Sequence, residues 1–267
     1  MNSDLTSRNA SAYRRFDVLW DYRRSSGLQA PERAILERFA PELRNKRVLD
    51  IGVGGGRTTP HLTALTKHYV GIDLSPEMVS RCGKSFPNIR FEICDVRDLS
   101  RFASEAFDTV LFSFNGLDML TNQASRVRAL GEIRRVLLPS GLFIFSSHNR
   151  ACEQRAPWDV RALNLDIRRP LGVAKKLAMF PVGIVNHMRM KAHETSEPEY
   201  ALVNDNAHGY SLLTYYISIE HQLAQLERSG FTAIEAVGLD GRWLTDKERS
   251  DSPPRDPWIY YVCRRSG

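Results

Sequence analysis

The sequence predicts an α/β protein built on a doubly wound, mostly parallel sheet. Three observations support this prediction. Short apolar runs that suit buried strands alternate with helix-like segments between residues 30 and 149. The first run, around Val48 to Ile51, breaks into a glycine-rich turn that leads into a helix. The second run ends in an acid, Asp73, as expected of the βαβ unit of a nucleotide-binding fold.

Length and composition limit the possible classes of protein. The chain has 267 residues, 42% hydrophobic and 25% charged, which suits one domain with an insertion. Four cysteines without C-x-x-C spacing argue against a zinc site or a disulfide framework and favour a reducing compartment. The polar N-terminus has no apolar signal segment, so we expect a cytoplasmic protein. The net charge of +6 mildly favours acidic substrates or nucleic acid.

The glycine turn carries an acid-x-Gly-x-Gly-x-Gly pattern formed by Asp50, Gly52, Gly54 and Gly56. Glycine lets the backbone turn tightly and approach a ligand closely, because it has no Cβ atom. The dinucleotide fingerprint G-x-G-x-x-G does not fit, because Arg57 stands where its third glycine would be. Asp50 would repel an anionic pyrophosphate, whereas it would attract a cationic ligand.

This pattern resembles the first motif of the class I S-adenosylmethionine (SAM) dependent methyltransferases. SAM carries a sulfonium and an ammonium group, so an acid beside the turn suits it. The resemblance covers about residues 30–149 and 216–267. It implies SAM as the cofactor, S-adenosylhomocysteine as its product, and a seven-stranded sheet whose final strand is antiparallel. We expect a single domain, with an N-terminal helical lid (1–29), a SAM-binding core (30–149), an inserted cap and acceptor region (150–215) and C-terminal core strands (216–267).

The segment that precedes the core places aromatic residues at roughly helical spacing among charged ones. These apolar residues are Tyr13, Phe16, Leu19, Trp20 and Tyr22. They predict an amphipathic helix that either packs on the core or, as the resemblance implies, closes over the cofactor with Tyr22 in contact with it. Pro31 suits the first turn of the next helix. The apolar stripe of that helix is Ile35, Leu36, Phe39 and Leu43.

The second and third strands both lead into acids. Asp73 follows Asp50 at the distance where a doubly wound fold places the acid that binds ribose hydroxyls, and we expect the adjacent Leu74 to contact the cofactor too. Ser75 is a predicted helix N-cap. In the family, an acid after the third strand meets the adenine amino group and the next backbone amide meets a ring nitrogen. Asp95 and Val96 match those positions, with Asp98 as an alternative.

The fourth strand, Phe107 to Phe112, leads into a loop that the resemblance places beside the transferred methyl group. We expect Ser113 to contact the cofactor, and Asn115 and Asp118 to contact the methyl acceptor. The loop lacks the Asn/Asp-Pro-Pro-aromatic motif of methyltransferases that act on exocyclic or amide nitrogens. Its absence disfavours adenine-N6 and glutamine substrates.

The next helix and the fifth strand lead to a candidate base. Four apolar residues form the predicted buried stripe of the helix: Val127, Leu130, Ile133 and Leu137. The fifth strand, Leu142 to Ser146, is followed by His148. Ligands in open α/β sheets bind beyond the carboxyl ends of the strands, and an imidazole is a suitable base near neutral pH. His148 is therefore a candidate for catalysis or acceptor binding, and the alternative is a loop histidine bonded to the backbone.

Residues 150–215 depart from the strand and helix alternation and predict a helical insertion. Five apolar residues are spaced like one helix face: Leu171, Ala174, Leu177, Ile184 and Met188. Pro181 interrupts this pattern. We expect the face to pack on the sheet edge as a cap over the acceptor, and the alternative is a basic amphipathic segment that contacts membrane or RNA. His208 and Tyr210, near the end of the insertion, are candidates for acceptor binding.

The chain then returns to the core. Ser218 is a predicted N-cap for a helix with Ile219, Leu223 and Leu226 on one face. Phe231 to Val237 and Trp258 to Cys263 predict the last two strands.

The resemblance implies methyl transfer to an O or N nucleophile of a small-molecule acceptor by in-line displacement. Positioning the two reactants in line can contribute roughly 7–11 kcal/mol, so no conspicuous base is required. We expect no metal. Two alternatives remain open, an RNA methyltransferase and a non-catalytic SAM-binding accessory protein. The pyrimidine-C5 type of RNA enzyme needs a cysteine after strand four, where Ser113 and Asn115 stand, and Arg57 disfavours an NAD-dependent oxidoreductase.

Overall fold

A computed structural model describes residues 27–152, 158–159 and 170–267. The predicted N-terminal lid lies outside the described residues except for 27–29, and so does Tyr22. The first half of the described chain alternates strands and helices. Its elements are α1 (Ala30–Leu43), β1 (Val48–Ile51), α2 (Thr59–Thr63), β2 (Tyr69–Asp73), α3 (Pro76–Ser85), β3 (Arg90–Ile93), β4 (Phe107–Phe112), the 3₁₀ helix Gly116–Met119, α4 (Gln123–Val136) and β5 (Leu137–Asn149).

The second half contains the insertion and the last strands. Its elements are α5 (Pro170–Met190), the 3₁₀ helix Lys191–His193, β6 (Thr195–Ser196), β7 (Tyr200–Val203), the 3₁₀ helix Ala207–Tyr210, β8 (Thr214–Ile217), α6 (Ile219–Arg228), β9 (Phe231–Val237), α7 (Asp246–Ser250) and β10 (Trp258–Arg265). Both predicted N-caps are present, because Ser75 Oγ accepts a hydrogen bond from the Met78 amide and Ser218 Oγ accepts one from the His221 amide.

The sheet has the predicted doubly wound order. Strands β3, β2, β1, β4 and β5 lie side by side and run parallel, and β10 pairs antiparallel with both β5 and β9. Asp50 on β1 lies between Gly71 of β2 and Leu111 of β4. The strand order therefore changes direction between β1 and β4, and the crevice at their carboxyl ends is where such folds bind ligands. The prediction of a mostly parallel sheet with a final antiparallel strand is confirmed, but the described residues form ten strands in place of the predicted seven, because the insertion adds β6, β7 and β8.

The insertion is only partly helical, so the prediction of a helical insertion was incomplete. After α5 the chain forms the antiparallel strands β6, β7 and β8. Strand β8 runs parallel to the end of β5, with His148 opposite Tyr216 and Asn149 opposite Ile217. Strand β4 already ends opposite Phe145 of β5. Strand β8 therefore pairs with the part of β5 that projects past the end of β4. The insertion thus brings its own side chains to the carboxyl ends of the strands.

The packing of α5 differs from the prediction. Its Pro181 lies inside the helix and does not end it. Gly183 and His187 are the buried positions, whereas Leu177 and Met188 of the predicted inward face are 51% and 70% exposed. The Tyr210 ring packs so close to Gly183 that a Cβ atom there would lie 3.4 Å from Tyr210 Cδ2. A small residue and a histidine therefore take the inward positions that apolar side chains were expected to fill.

Helix α4 buries part of the predicted stripe. Its buried residues are Arg126, Ala129, Leu130, Ile133 and Val136. Val127 was predicted to be buried and is 51% exposed. Leu130 and Ile133 are buried as predicted, and Leu137 is buried as the first residue of β5, so the prediction fails at Val127, next to the inward Arg126. In α1, by contrast, the whole predicted stripe is buried.

Two apolar clusters flank the sheet. One includes α4, α6 and the inner strands, and the other joins α1 to the opposite face of the same sheet. Among the described residues, no helix is both long enough and apolar enough to span a membrane.

Candidate active site

The turn between β1 and α2 has the backbone that its glycines predicted. Gly52, Gly54 and Gly56 have φ angles of 66°, 52° and 79°. These angles lie in the left-handed region that residues with a Cβ atom rarely adopt. A Cβ atom on Gly56 would also lie 2.6 Å from Phe86 Cε2. Conformation and packing therefore both explain the spacing of the glycines.

Asp50, at the end of β1, is almost fully buried. Its Oδ2 accepts hydrogen bonds from Thr58 Oγ1 at 2.7 Å and from the Tyr69 hydroxyl at 2.8 Å. Because burial penalises the charged form, the pKa of Asp50 is raised to about 6, and the two hydrogen bonds only partly offset this effect. Asp50 therefore changes charge close to neutral pH.

The raised pKa predicts a pH-dependent contribution of Asp50 to stability. The folded protein binds this proton more tightly than the unfolded chain, where the ordinary pKa is 3.8. The contribution is therefore fully present below about pH 4 and is lost as the pH rises through about 6. Asp50→Asn removes the titration. The free energy of unfolding of the variant minus that of the parent should increase by about 2 kcal/mol between about pH 4.5 and about pH 7.5.

Urea unfolding of both proteins at the two pH values measures this difference. Asp108→Asn is the matched control. Burial raises the pKa of Asp108, but hydrogen bonds from Arg47 outweigh that effect and hold it below its ordinary value. The control should therefore show no such increase. A difference between Asp50→Asn and the parent that is the same at both pH values would contradict the prediction.

Glu32 of α1 is a buried carboxylate that the sequence analysis missed. It is 3% exposed, and the Arg57 guanidinium donates to both of its oxygens, with Nη2 at 2.6 Å from Oε1. Glu32 Oε1 also accepts hydrogen bonds from Ser113 Oγ and from the Tyr260 hydroxyl. Burial raises the pKa of Glu32, but Arg57 and Ser113 together bring it below its ordinary value. Glu32 thereby links α1, the glycine turn, β4 and β10.

Asp73 bridges the glycine turn and the start of α3. Its Oδ2 accepts a hydrogen bond from the Gly54 amide and its Oδ1 accepts one from the Ser75 amide, both at 2.9 Å. Burial raises the pKa of Asp73, and these backbone bonds only partly compensate. The adjacent Leu74 side chain is 48% exposed. A carboxylate and an exposed apolar side chain thus lie next to each other at the end of β2.

Asp95 and Val96 follow β3. Asp95 forms an ion pair with Arg97, whose Nε lies 3.0 Å from both carboxylate oxygens. Burial raises the pKa of Asp95, but Arg97 outweighs it and holds the pKa below its ordinary value. The side chain of Val96 is buried in the apolar core. Only the backbone of Val96 is therefore suited to a polar ligand contact.

The loop after β4 is strained. Phe114 and Asn115 have φ angles of 60° and 61°. A non-glycine residue in this region costs of order 1–3 kcal/mol, and such residues concentrate at functional sites. The Asn115 amide donates to Ser146 Oγ at 2.8 Å, and Asn115 is 5% exposed. The loop is thereby fastened to β5.

His148 and Asp118 form an imidazole and carboxylate pair across the ends of β5 and β4. His148 Nδ1 lies 2.8 Å from Asp118 Oδ2, and the His148 backbone amide donates to the same oxygen at 2.6 Å. Because an ionised carboxylate can only accept, Nδ1 carries the proton, and Nε2 of the neutral ring keeps a lone pair. Asn115 Nδ2 lies 3.3 Å from Nε2, within reach to donate to it. This arrangement presents a basic nitrogen at Nε2.

Asp118 is fully buried, so its geometry does not match the expected acceptor contact. Its Oδ1 accepts hydrogen bonds from Arg126 Nη1 at 2.8 Å and from Ser147 Oγ at 2.7 Å. Burial raises the pKa of Asp118, but the charge of Arg126 and the hydrogen bond from His148 bring it below its ordinary value. Asp118 is therefore an ionised group that orients His148.

Arg126 has no exposed side-chain surface, and each of its guanidinium nitrogens has a partner. Nε donates to Gln225 at 2.9 Å, Nη2 donates to Gln222 at 2.8 Å, and Nη1 also donates to the Leu117 carbonyl at 3.1 Å. The Tyr215 ring centroid lies 4.3 Å from the guanidinium carbon. Strand β8 and helix α6 of the second half of the chain thus complete the support of Asp118.

Aromatic side chains surround the His148 ring. Tyr216 of β8 lies at a centroid distance of 4.8 Å and Trp258 of β10 at 6.4 Å. Trp258 also contacts Phe114 at 5.6 Å, and Phe114 lies 5.5 Å from the Arg57 guanidinium of the glycine turn. These contacts connect the glycine turn to His148. Among the described residues, the buried atoms Asn115 Oδ1 and Trp258 Nε1 have no hydrogen-bond partner.

The remaining candidates lie in the insertion. Tyr210 is 7% exposed and packs on His187 of α5, with a centroid distance of 5.5 Å. The side chain of His208 lies outside the described residues.

The sequence analysis did not identify Glu32, Arg126, Tyr216 or Trp258 as site residues. A helical pattern extended backwards from Ile133 would have reached Arg126 at an inward position, and a charged residue at such a position indicates a buried ion pair. Tyr216 and Trp258 had no such signal, because aromatic residues in strands are usually structural.

Known proteins match the sequence of the core. Residues 48–141 match the methyltransferase domain family. The ubiquinone biosynthesis O-methyltransferase of Nitrosococcus oceani is 35% identical over 112 residues, which are 40% of this chain and 46% of that protein. The chain thus spans about half the length of the curated relatives it matches.

Solved structures match the fold over most of the chain. A 1,6-didemethyltoxoflavin-N1-methyltransferase of Burkholderia thailandensis, with 1,6-didemethyltoxoflavin and S-adenosylhomocysteine bound, has a TM-score of 0.59 and 17% identity. The alignment covers 98% of this chain and 88% of that one. A SAM-dependent methyltransferase from Clostridium acetobutylicum has a TM-score of 0.55 and 13% identity, over 89% of this chain and 92% of its own. These similarities establish a shared fold.

The strand order, the glycine turn and the matched domain define a protein with the Rossmann-like methyltransferase fold. Residues 48–141 form a methyltransferase domain, and the fold is the one that SAM-dependent methyltransferases share, whose cofactor is SAM.

Proposed function

We propose that this chain transfers the methyl group of SAM to an oxygen or nitrogen nucleophile of a small-molecule acceptor by in-line displacement. The observation that carries the proposal is the pair of Asp118 and His148, which presents His148 Nε2 at the carboxyl ends of β4 and β5. The names of two similar proteins support the small-molecule class, since one is an O-methyltransferase and the other an N-methyltransferase with its acceptor bound.

The residues of the glycine turn suit the methionine end of SAM. The positive φ angles of Gly52, Gly54 and Gly56 leave the turn without side chains that would block a close ligand. A cation beside Asp50 would favour its ionised form, which burial disfavours in the free protein. We assign Asp50 and the turn to the methionine end, with Ser113 close to it.

The acids after β2 and β3 suit the adenosine part of SAM. Each Asp73 oxygen accepts one backbone hydrogen bond and retains a lone pair for a ribose hydroxyl. The exposed Leu74 would cover the adenine ring. Asp95 would accept from the adenine amino group alongside Arg97, and the Val96 amide would donate to a ring nitrogen. The N-terminal segment with Tyr22 remains the proposed lid.

Asp73→Ala should weaken SAM binding by at least about tenfold, since hydrogen bonds to a charged group contribute roughly 1.5–3 kcal/mol each. Isothermal titration calorimetry with SAM measures the loss. Asp240→Ala, which removes an exposed acid after β9, is the control and should bind SAM like the parent.

Asp73→Asn separates the ribose contact from the support of the turn. Its side-chain oxygen can still accept the bond from the Gly54 amide, but it has lost the charge and one acceptor atom. It should therefore bind SAM more weakly than the parent, and its unfolding temperature should fall less than that of Asp73→Ala, because only the bond from the Ser75 amide is lost. Parent-like SAM affinity in both Asp73 variants would exclude the ribose assignment.

Bound SAM supplies an electrophilic methyl group on its sulfonium. The residues of the chain orient the acceptor and remove its proton. His148 Nε2 takes the proton of the acceptor hydroxyl or amine, while Asp118 holds Nδ1–H and stabilises the imidazolium that forms. Arg126 compensates the charge of Asp118 in the buried site. Asn115 Oδ1 and Trp258 Nε1, which lack partners among the described residues, would bind polar atoms of the acceptor.

SAM with a labelled methyl group tests the proposed function. The purified protein is incubated with a cell extract that is then separated into small molecules, proteins and nucleic acids. We expect label in the small-molecule fraction, and no label when the Asp73→Ala variant replaces the parent. Label that nuclease releases from large material would replace the proposal with an RNA methyltransferase. Measurable SAM binding without label in any fraction would favour a non-catalytic SAM-binding protein.

A further inference from the structure

Helix α5 has one packed face and one exposed face. On the packed face, Gly183 and His187 are buried against Tyr210, and Asn186 Nδ2 donates to the Gly209 carbonyl at 2.9 Å. These contacts attach the helix to the insertion through one side only. The opposite side is solvent-exposed in the part of the chain that the structure describes.

The exposed face of α5 is apolar. Its members, Ala174, Leu177, Ala178, Pro181, Val182, Val185 and Met188, are all exposed. At 3.6 residues per turn they span an arc of about 140° along about four helical turns. Leu177, Val185 and Met188 are 51%, 45% and 70% exposed. A continuous exposed apolar face of this kind marks an interaction surface, because single exposed apolar residues are normal and clusters are not.

The charges along this segment have one sign. From residue 167 to residue 193 the sequence contains no Asp or Glu. In the sequence, basic residues precede the helix at Arg168 and Arg169 and stand at or after its C-terminal end at Arg189 and Lys191. Positive charge at both ends of an apolar face complements a surface that is anionic and has an apolar interior beneath it. Nucleic acid would match the charge but would leave the apolar face in water.

We propose that the exposed face of α5 binds the surface of an anionic lipid bilayer. The helix lies in the plane of the interface, with Leu177, Val185 and Met188 at the boundary between headgroups and acyl chains. Arg189 and Lys191, exposed at the C-terminal end of the helix, contact lipid phosphates, and each contributes attraction that falls off within a Debye length. This inference does not depend on the proposed methyl transfer.

Sedimentation of the full chain with lipid vesicles tests the proposal. One set contains phosphatidylglycerol in phosphatidylcholine and the other contains phosphatidylcholine alone. We expect at least about tenfold stronger partitioning to the anionic set, and a loss of this preference at high salt. Met188→Glu, which places an acid on the exposed face, should weaken partitioning by about tenfold.

Val127→Glu is the matched control, because Val127 is 51% exposed on a different helix, α4. It should partition within about twofold of the parent. Unfolding temperature and SAM affinity should be unchanged in both variants, which separates a binding defect from a folding defect. Equal partitioning to both vesicle sets, or parent-like partitioning of Met188→Glu, would overturn the proposal. A dimer that Met188→Glu dissociates, without vesicle binding by the parent, would instead assign the face to a second copy of the chain.

Discussion

Replacing His148 by Gln should lower kcat by about 10²–10⁴-fold, the contribution of a positioned general base. Gln has a similar length and can hydrogen bond to Asn115, but it cannot take up a proton at neutral pH. SAM affinity should stay unchanged, because His148 is not among the residues assigned to SAM. Initial rates with the acceptor that the labelling experiment identifies, measured between about pH 5.5 and about pH 9, give the comparison.

His68→Gln is the control for this prediction. His68 is exposed just before β2, at the amino ends of the parallel strands and away from His148. Its replacement should therefore leave kcat unchanged. The loss of kcat in His148→Gln relative to the parent should be present across the measured pH range. If His148→Gln turns over as fast as the parent at every pH, His148 is not the base. That result would leave the proposals of SAM binding and methyl transfer unaffected.

Arg126→Leu should lower the free energy of unfolding by about 3–5 kcal/mol, the usual cost of removing one partner of a buried ion pair. The Asp118 carboxylate would remain buried and ionised without its compensating charge. Gln222 Oε1 would lose the hydrogen bond from Arg126, and Gln225 Oε1 would keep only the one from Gln222 Nε2. Urea unfolding at neutral pH measures the loss.

Two further variants test whether charge is the reason. Arg128→Leu removes an exposed arginine from the same helix and should change the free energy of unfolding by no more than about 0.5 kcal/mol. The double variant Asp118→Asn with Arg126→Leu carries no buried unpaired charge, so it should be more stable than Arg126→Leu alone. If Arg126→Leu is as stable as Arg128→Leu, the ion pair of Arg126 and Asp118 does not contribute to the free energy of unfolding as predicted.

Local patterns predicted much of the core correctly. The glycine spacing after Asp50 predicted a turn whose three motif glycines all have positive φ angles. Ser75 and Ser218 predicted helix starts because their hydroxyls cap a backbone amide a few residues away. The strand from Phe231 to Val237 was predicted with its observed bounds. Each of these features depends on neighbouring residues, which is why one sequence suffices to predict it.

The supports of the candidate site depend on residues that are far apart in the chain. Ser113 and Tyr260 both bond to Glu32, from 81 and 228 positions away. Arg126 reaches Gln225 across 99 positions. No local pattern predicts such partners, because side chains on different strands and helices meet only after the sheet has formed.

Two errors have the same physical origin. The apolar Val127 was expected inside the protein, but the inward position of α4 belongs to Arg126, whose charge is compensated by Asp118. The apolar residues of α5 were expected to pack on the sheet, but Tyr210 packs on Gly183 and His187 instead. Hydropathy describes the preference of a side chain for water or for an apolar environment. Whether the side chain is buried also depends on which partners the fold supplies.

The sequence by itself determined the doubly wound, mostly parallel sheet of the core, the glycine turn, the acids at the ends of β1, β2 and β3, and the presence of His148 near the end of β5. The tertiary structure decided that Asp118 orients His148 and is itself buried, that Glu32 links α1 to the glycine turn, and that α5 exposes an apolar face. The two groups of features differ in the sequence separation of the residues that interact. Backbone conformation and strand formation reflect interactions between near neighbours, while the partners of a buried charge and the free face of a helix are set by long-range packing.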